Sequence, residues 1–345
     1  MKYEVTIGIP VYNVGKYIRM TMESALAQTF GNIEFLVLDD CGTDGSMDIV
    51  REYQQNHPRG KDIRIVRQPQ NGGIGRARNR IIEEAQGRYL FFLDADDTII
   101  PNAIELLYEN AVKYKAELVY GSYQRIEEFE GKINKRDCCY PCRQFLNEDE
   151  FAVKVYSDYG FLQATIWNIL IRMDVLQKNQ LRFKAINYWE DFTLTMDLPT
   201  YVIRVVLLPD ITYHYFCRND SLSNFQKRQK ISKKEIMDTI QAVQEIKDSS
   251  VRIREKCYFP QRMQKVMITD FYIVCSILRN QPIIAPAFSK REIRDVMRSP
   301  LTIGEIIRFH HTRLVNVFLY LLGVLPPSVF VWLVKKIGKR KGFIL

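Results

Sequence analysis

The chain has 345 residues, of which 47% are hydrophobic, so it can bury a large core in one domain with an appendage or in two domains. Its formal net charge of +9 suits an acidic partner, such as an anionic lipid or a phosphorylated substrate. A nucleic acid is disfavoured, because the basic residues cluster at positions 227–234 and at the C-terminus without interleaved aromatic residues. Cys139 and Cys142 have no second pair and no nearby histidine, which argues against structural zinc.

The first 121 residues alternate strand-like and helix-like segments. Strands are predicted at residues 5–11, 33–38, 63–66, 89–93 and 118–121, and apolar residues at helical spacing lie between them. This alternation predicts βαβ units with a mostly parallel sheet flanked by helices. Ligands of such sheets bind beyond the carboxyl ends of the strands, which here are the loops at residues 10–13, 39–46 and 94–98.

Beyond residue 125 the pattern loosens. Residues 166–176 and 181–194 predict a smaller αβ region with an acidic loop, and residues 201–208 and 211–216 predict two strands. A charged helix is predicted at residues 232–256.

The C-terminal segment is apolar and then basic. Residues 314–334 are mostly apolar but contain Pro326 and Pro327, and five basic residues follow: Lys335, Lys336, Lys339, Arg340 and Lys341. The prolines argue against an unbroken spanning helix. An interfacial helix pair on a membrane surface is the preferred interpretation, and a helical hairpin packed on the protein's own core and a true span stay open.

Three aspartates follow directly on the apolar strand at residues 89–93. Asp94, Asp96 and Asp97 repel one another, which raises their pKa values and destabilises the fold unless a cation compensates. Mg²⁺ and Mn²⁺ prefer such oxygen ligands and are often shared with substrate phosphates. We therefore predict a divalent metal on Asp94 and Asp96. Alternatively, Asp97 or Thr98 caps the next helix, which explains one acid but not three.

A second acidic pair, Asp39 and Asp40, ends the strand at residues 33–38. One carboxylate could accept the ring N–H of a uracil-type base and the other could accept ribose hydroxyls, while the ring of Tyr12 stacks on the base. The alternative is ordinary turn chemistry. Asp44 or Ser46 is predicted to cap the helix that follows.

The glycine-rich segment at residues 71–75 opens a helix, and its backbone N–H groups could receive phosphate oxygens. It is neither a Walker A loop nor a Rossmann fingerprint. Arg78 is predicted to face the diphosphate, whereas Arg76 and Arg80 are predicted to point to solvent.

Asp191 lies between Trp189 and Phe192 in a partly apolar loop, which makes it a candidate general base. The alternative is an N-cap for a helix at residues 192–198.

Five stretches together resemble glycosyltransferase family 2, the inverting, GT-A-fold enzymes of bacterial polysaccharide type. They are VTIGIPVYN, SALAQTFGNIEFLVLDDCGTDGS, NGGIGRARN, GRYLFFLDADD and WEDF, and they cover roughly residues 3–225. The resemblance implies that Asp40 binds uracil, that Tyr12 stacks on it, and that Asp191 is the base. It also implies that Asp94 and Asp96 hold Mn²⁺ or Mg²⁺. The whole nucleotide-binding set predicted is Pro10, Tyr12, Asp39, Asp40, Gly73, Arg78, Asp94 and Ala95.

The segment at residues 215–223 is similar to the family's Y-R-x-R-x-x-S-x-S region, with Phe216 in place of the first arginine. Arg218 is therefore the remaining candidate for a diphosphate or acceptor contact there, and Glu190 is a further one. His214 is a candidate third metal ligand, although a histidine beside tyrosines is commonly structural.

The resemblance implies transfer of a sugar from a nucleotide-sugar donor, a UDP-sugar first, to a saccharide or lipid-linked saccharide hydroxyl in surface polysaccharide or glycolipid synthesis. It implies a GT-A domain at residues 1–225, whose nucleotide-binding half is 1–125 and acceptor-side half 126–225, and a helical region at 226–345. The alternatives are a nucleotide-sugar hydrolase and a non-catalytic nucleotide-sugar-binding partner. The absence of a signal-peptide pattern predicts a cytoplasmic protein, at the inner membrane face if the C-terminus contacts lipid. The sequence leaves the oligomeric state open.

Overall fold

The computed structural model describes residues 2–129, 132–158, 164–184, 186, 189–218 and 230–341. The chain divides into two compact units. The first comprises Met1–Phe151, Ala164–Ala185 and Glu190–Asn224, and the second comprises Ala152–Gln163, Ile186–Trp189 and Phe225–Leu345.

The N-terminal part of the first unit alternates strands and helices, as predicted. Its elements are β1 (Tyr3–Val11), α1 (Ile18–Leu26), β2 (Ile33–Asp39), α2 (Ser46–Asn56), β3 (Ile63–Arg67), α3 (Ile74–Glu84), β4 (Gly87–Phe92), β5 (Thr98–Ile99) and α4 (Ala103–Tyr114). After these come β6 (Leu118–Phe129), β7 (Lys132–Cys138), β8 (Arg143–Phe145), α5 (Glu150–Ser157), β9 (Ile169–Arg172), α6 (Met173–Lys178), α7 (Glu190–Asp197) and β10 (Val205–Cys217).

Ten strands of the described residues form one mixed sheet, with its main path in the order β3-β2-β1-β4-β9-β6-β10-β5. The first four strands are parallel, and β9 is antiparallel to both of its neighbours, β4 and β6. Every residue of β2 is buried, which agrees with its near-continuous apolar sequence and with cover on both faces. The α/β class and the parallel N-terminal strands are confirmed.

The second unit is mainly helical. Its elements beyond residue 230 are β11 (Ile231–Ser232), α8 (Lys233–Ser249), α9 (Phe259–Asn280), β12 (Ile284–Ala285), α10 (Lys290–Val296), α11 (Ile303–Ile307), α12 (Arg313–Val324) and α13 (Pro327–Arg340). The apolar C-terminal segment is thus two helices that are separated at Leu325 and Pro326. None of the helices in the described ranges combines the length and the apolar character that crossing a membrane requires.

Some predicted elements were wrong in their details. The β6–β7 hairpin was not predicted. The side chains of β7 are mostly charged, and all but the last are exposed. The two strands predicted at residues 201–216 are one strand, β10, which continues past the exposed Pro209 through a register shift. The N-cap of α2 is Gly45, with φ 79°, and not Asp44 or Ser46. The charged helix α8 ends at Ser249, before the predicted residue 256.

The close approach of α3 to β1 gives a stability test. A Cβ atom at Gly8 would lie 2.4 Å from Cγ2 of the buried Ile81, whereas a Cβ at Gly31 would meet no atom within 4 Å. We expect Gly8→Ala to lower the free energy of unfolding by about 1–3 kcal/mol through overpacking. Gly31→Ala is the matched control and should change it by less than about 0.5 kcal/mol. Urea denaturation measures both, and equal stabilities would contradict the packing described.

Candidate functional site

The carboxyl ends of β1, β2 and β4 meet at one edge of the sheet. In the parallel register Val11 pairs with Asp39, and Gly8 pairs with Phe92. The loops that follow these three strands are the loops in which the sequence predicted the site. Pro10 is a buried residue of β1, and Tyr12 directly after the strand is 49% exposed, so its ring is accessible to a ligand.

Asp40 organises the glycine-rich turn. One carboxylate oxygen accepts the backbone N–H of Gly72 at 2.8 Å, and the other accepts that of Gly73 at 3.1 Å. Burial raises the pKa of Asp40. The structure therefore gives Asp40 a role in holding the start of α3, where Gly73 has φ 78°. The uracil contact predicted for Asp40 stays a prediction.

The loops after β1 and β2 are tied to each other. Asn13 accepts the backbone N–H of Thr43 at 2.8 Å, and Asp44 accepts that of Gly15 at 2.6 Å. Asp39, which is buried, accepts the N–H of Cys41 at 2.9 Å. Asn13 and Cys41 have φ angles of 51° and 62°, a left-handed conformation that is uncommon outside glycine and concentrates at functional sites. These hydrogen bonds hold the two loops in place beside Tyr12.

The three aspartates after β4 have different environments. Asp97 is 1% exposed and accepts the hydroxyl of Tyr213 and the backbone N–H of Phe216, both at 2.8 Å. It is a structural residue and not a helix cap, since α4 has Asn102 at its N-cap. Asp94 and Asp96 are partly exposed and therefore available to a ligand, whereas Ala95 between them is buried.

Arg78 connects two acidic segments. Its guanidinium donates to Asp94 at 2.9 Å and to Glu190 at 2.7 Å, and the residue is only 4% exposed. Burial lowers the pKa of Arg78, but the charges of Asp94 and Glu190 outweigh this effect and raise the pKa above its ordinary value. Arg76 and Arg80 are exposed, as predicted. The sequence predicted that Arg78 faces a diphosphate, but it did not predict the ion pair with Glu190, which is 112 residues away.

Asp96 has its own arginine. Arg218 donates to it at 2.7 Å, and the guanidinium of Arg218 stacks 3.9 Å from the ring centroid of Tyr17. Phe216, which stands where the family has an arginine, lies under the same guanidinium with its ring centroid at 5.1 Å. Tyr17 was not predicted as a site residue, because it belongs to none of the motifs described above. The serines at positions 221 and 223 of the same segment lie outside the described residues.

Asp191 lies in the first turn of α7 and is not the residue before the helix. It is partly exposed, and its carboxylate accepts the N–H of Phe192 at 2.8 Å. Burial and the charge of Glu190 raise the pKa of Asp191 to about 7. Glycine at position 75 allows the approach of this region to α3, because a Cβ there would lie 2.4 Å from the carbonyl oxygen of Lys184.

The role of His214 as a third metal ligand stays a prediction. Its ring Nδ1 lies 3.3 Å from the hydroxyl oxygen of Thr98, and burial lowers its pKa. Within the described ranges no group of three or more histidine, cysteine or acidic side chains is arranged to hold a metal ion. The metal contacts predicted for Asp94 and Asp96 likewise stay predictions.

The electrostatics of the site are compatible with such a cation. Burial and the charge of Asp94 raise the pKa of Asp96 to about 6, and burial with the charge of Asp96 raises that of Asp97 well above its ordinary value. Each arginine contact uses one oxygen of a carboxylate, Oδ1 of Asp94 or Oδ2 of Asp96. A hard cation would relieve the remaining repulsion.

The sequence profile of the family described as Glycosyl transferase family 2 matches residues 6–180, which is half of the chain. The chain belongs to glycosyltransferase family 2. β2, β4, the carboxyl-terminal part of β1, and Asp94 and Asp96 lie inside the matched region of this family 2 protein. Asp191, Arg218 and the whole helical second half beyond them lie outside it.

Three bacterial proteins have similar sequences. The glycosyltransferase GlyA of Streptococcus pneumoniae is 30% identical over 64% of this chain and 31% of its own length. GlyG of the same organism is 28% identical over 63% of this chain and 72% of its own length. The cholesterol galactosyltransferase of Borreliella burgdorferi is 27% identical over 65% of this chain and 63% of its own length. The chain thus matches about a third of GlyA and about two thirds of the other two.

Two solved structures have similar folds. Residues 1–349 of S. aureus TarS, in complex with UDP, give a TM-score of 0.63 at 14% identity, covering 98% of this chain and 92% of that chain. The mannosyltransferase PcManGT of Pyrobaculum calidifontis, in complex with GDP-Man and Mn²⁺, gives 0.53 at 13% identity, covering 97% and 84%. At these identities the likeness concerns the fold, and it confirms the predicted GT-A-like sheet with helices on its flanks and at its C-terminus.

The buried ion pairs of Arg78 make a second stability prediction. Arg78→Met leaves Glu190 buried without its cation, and we expect it to lower the free energy of unfolding by about 3–5 kcal/mol. Arg76→Met, on the exposed side of the same helix, is the control and should change it by less than about 0.5 kcal/mol. A carboxyl with a raised folded-state pKa costs stability as pH rises through that pKa, and burial raises the pKa of Glu190. The Arg78→Met deficit should therefore be larger at about pH 8 than at about pH 5, and a pH-independent deficit would contradict this explanation.

Proposed function

We propose that this family 2 protein is an inverting glycosyltransferase that moves a sugar from a nucleoside diphosphate donor to an acceptor hydroxyl. The observation that carries the proposal is the meeting of two carboxylate sets around one buried arginine. Arg78 contacts Asp94 on the donor side and Glu190 on the other side, and Asp191 follows Glu190 directly. A group that binds a metal–diphosphate and a group that takes a proton are thereby held near each other.

UDP is the proposed nucleotide. The exposed ring of Tyr12, beside the buried Asp39 and Asp40, offers a face for a flat base at the end of β1 and β2. The nucleotides seen in complex with structurally similar proteins are UDP and UDP-GlcNAc for S. aureus TarS and GDP-Man for PcManGT. The nucleoside diphosphate is common to all of them, and a pyrimidine fits the uracil contact that the family resemblance implies for Asp40.

Mn²⁺ or Mg²⁺ is the proposed cofactor, held by Asp94 and Asp96. Two carboxylates shared with substrate phosphates are a usual arrangement for such ions. When bound, the ion stabilises negative charge on the diphosphate leaving group. Arg218 is positioned to interact with the same negative charge. Its guanidinium pairs with Asp96 at 2.7 Å and packs on the ring of Tyr17.

The proton is taken by Asp191. Its carboxyl has a pKa of about 7, which lies close to the working pH of a general base. As the acceptor hydroxyl attacks the anomeric carbon, its proton passes to Asp191, and the bond from that carbon to the diphosphate breaks on the opposite side. One displacement of this kind inverts the anomeric configuration and needs no covalent sugar–enzyme adduct. Arg78 orients Glu190, the residue before the base.

The proposed acceptor is a saccharide or lipid-linked saccharide in the synthesis of a surface polysaccharide or glycolipid. Relatives include a putative teichuronic acid biosynthesis glycosyltransferase of Bacillus subtilis, 42% identical over 27% of this chain, and the chondroitin synthase of Escherichia coli, 33% identical over 48% of it. A cytoplasmic location next to the membrane would bring the enzyme to both the nucleotide sugar and such an acceptor.

Paired variants test the division of labour. Asp191→Asn should lower kcat by about 10²–10⁴-fold and leave UDP affinity with Mn²⁺ unchanged, because it removes only the base. Asp96→Ala should abolish transfer and also the increase in UDP affinity that Mn²⁺ gives in calorimetry. Asp210→Asn, an exposed aspartate on β10, is the control and should match the wild type in both. Full transfer by Asp191→Asn would refute the base assignment.

Two other functions predict different results in the same assays. A nucleotide-sugar hydrolase would release free sugar from the donor at the same rate with and without an acceptor. A non-catalytic binding partner would bind UDP-sugars but show no turnover with any acceptor. Screening UDP-sugars by thermal shift with Mn²⁺, followed by acceptor trials with the best donor, distinguishes all three.

The pKa of Asp191 predicts the pH profile. The raised pKa means that the carboxyl is protonated, and so inactive as a base, below about pH 7. At saturating Mn²⁺ we expect kcat/KM to fall about tenfold per pH unit on that acid side. The residual activity of Asp191→Asn should lack this dependence, and an identical acid limb in the variant would assign it to another group.

A further inference from the structure

The outward side of α12 is apolar. Four of its exposed side chains are Leu314, Phe318, Leu321 and Val324, with 85%, 44%, 50% and 56% exposure. They follow one another at spacings of three and four residues, so they form a stripe along one side of the helix. The opposite side buries Asn316, Leu319 and Leu322 within the second unit. After Arg313 the helix contains no charged residue, although most helices at a protein surface carry charge on the outer side.

The next helix, α13, exposes apolar side chains in its first half and basic side chains in its second half. Val329 and Trp332 are 46% and 61% exposed in the first half of α13. Its second half exposes Lys335, Lys336, Lys339 and Arg340. Lys336 lies over the ring of Trp332, at 5.3 Å from the centroid. Both helices pack against α9 and α10 of the second unit.

The charge of this region has one sign. Residues 306–345 contain seven Lys and Arg residues and no Asp or Glu, and the formal charge of the whole protein is +9. Nearly all the net positive charge therefore belongs to the last 40 residues. A groove beside α12 adds Arg294 and Arg298 to apolar lining from Leu301, Ile303 and Val324.

We propose that the outward side of α12 and α13 is a docking surface for an anionic phospholipid bilayer. Leu, Phe and Trp side chains would enter the boundary between headgroups and acyl chains, and the basic end of α13 would contact headgroup phosphates. A second copy of the chain fits less well, because a twofold interface would bring two copies of the same positively charged surface together. A nucleic acid leaves the apolar stripe exposed. The proposal does not depend on the reaction at Asp191.

The test is vesicle co-sedimentation of the full chain. The protein should bind vesicles with about 30% phosphatidylglycerol in phosphatidylcholine more tightly than pure phosphatidylcholine vesicles, and salt should weaken binding. Replacing Lys335, Lys336 and Lys339 by Gln should weaken it roughly 100-fold, at about fivefold per charge. Phe318→Asp with Leu321→Asp should abolish it. Ile133→Asp, at a 64% exposed apolar position on β7, is the control and should bind as the wild type does.

A spectroscopic readout locates the contact. Insertion of Trp332 should shift tryptophan emission to shorter wavelength on addition of the anionic vesicles, and Trp332→Phe should bind the vesicles with that shift removed. Far-UV circular dichroism and UDP binding confirm that each variant is folded. Absence of binding to anionic vesicles, or a dimer in light scattering that Leu321→Asp converts to monomer, would overturn the proposal.

Discussion

The candidate functional site depends on one buried guanidinium group. Arg78 sits on α3 with almost no exposure and bonds to an aspartate after β4 and a glutamate at the start of α7. Burying an arginine is costly unless its charge is compensated, and burying Glu190 is costly for the same reason. Each residue therefore requires the other, and the pairing keeps the segment that carries Asp191 next to the loop after β4 that carries Asp94.

These ion pairs do not neutralise all the negative charge of the site. The five carboxyl groups described after β4 and at the start of α7 exceed the two guanidinium groups that contact them in the described residues, Arg78 and Arg218. Burial, together with this imbalance, raises the pKa values of Asp96 and Asp191. At Asp96 it favours a hard cation, and at Asp191 it gives a carboxyl that titrates near neutral pH. One electrostatic condition thus supports both halves of the proposed chemistry.

The sequence was sufficient where the physics is local. Apolar runs ending in acids predicted β2 and β4 and the loops beyond them, and parallel pairing then required those loops to share an edge. It could not separate Asp97 from Asp94, because the difference lies in the hydroxyl of Tyr213, which is distant along the chain. Nor could it pair Arg78 with Glu190, since no periodic pattern relates residues 112 positions apart. The exposed strand β7 lacked the alternation on which strand prediction depends.

The C-terminus shows what burial adds to composition. From the sequence, an interfacial pair of helices and a hairpin packed on the protein's own core were competing descriptions of one apolar segment. In the structure one side of α12 packs on the protein's own core and the other side is exposed, since Leu319 and Leu322 are buried while Leu314 and Leu321 are exposed. The fold buries the inner apolar side of α12. The outer apolar side is exposed to water, and burying it against a further partner would lower the free energy. The basic end of α13 then selects the chemistry of that partner, since lysine and arginine beside tryptophan suit an anionic bilayer surface better than they suit an apolar protein interface.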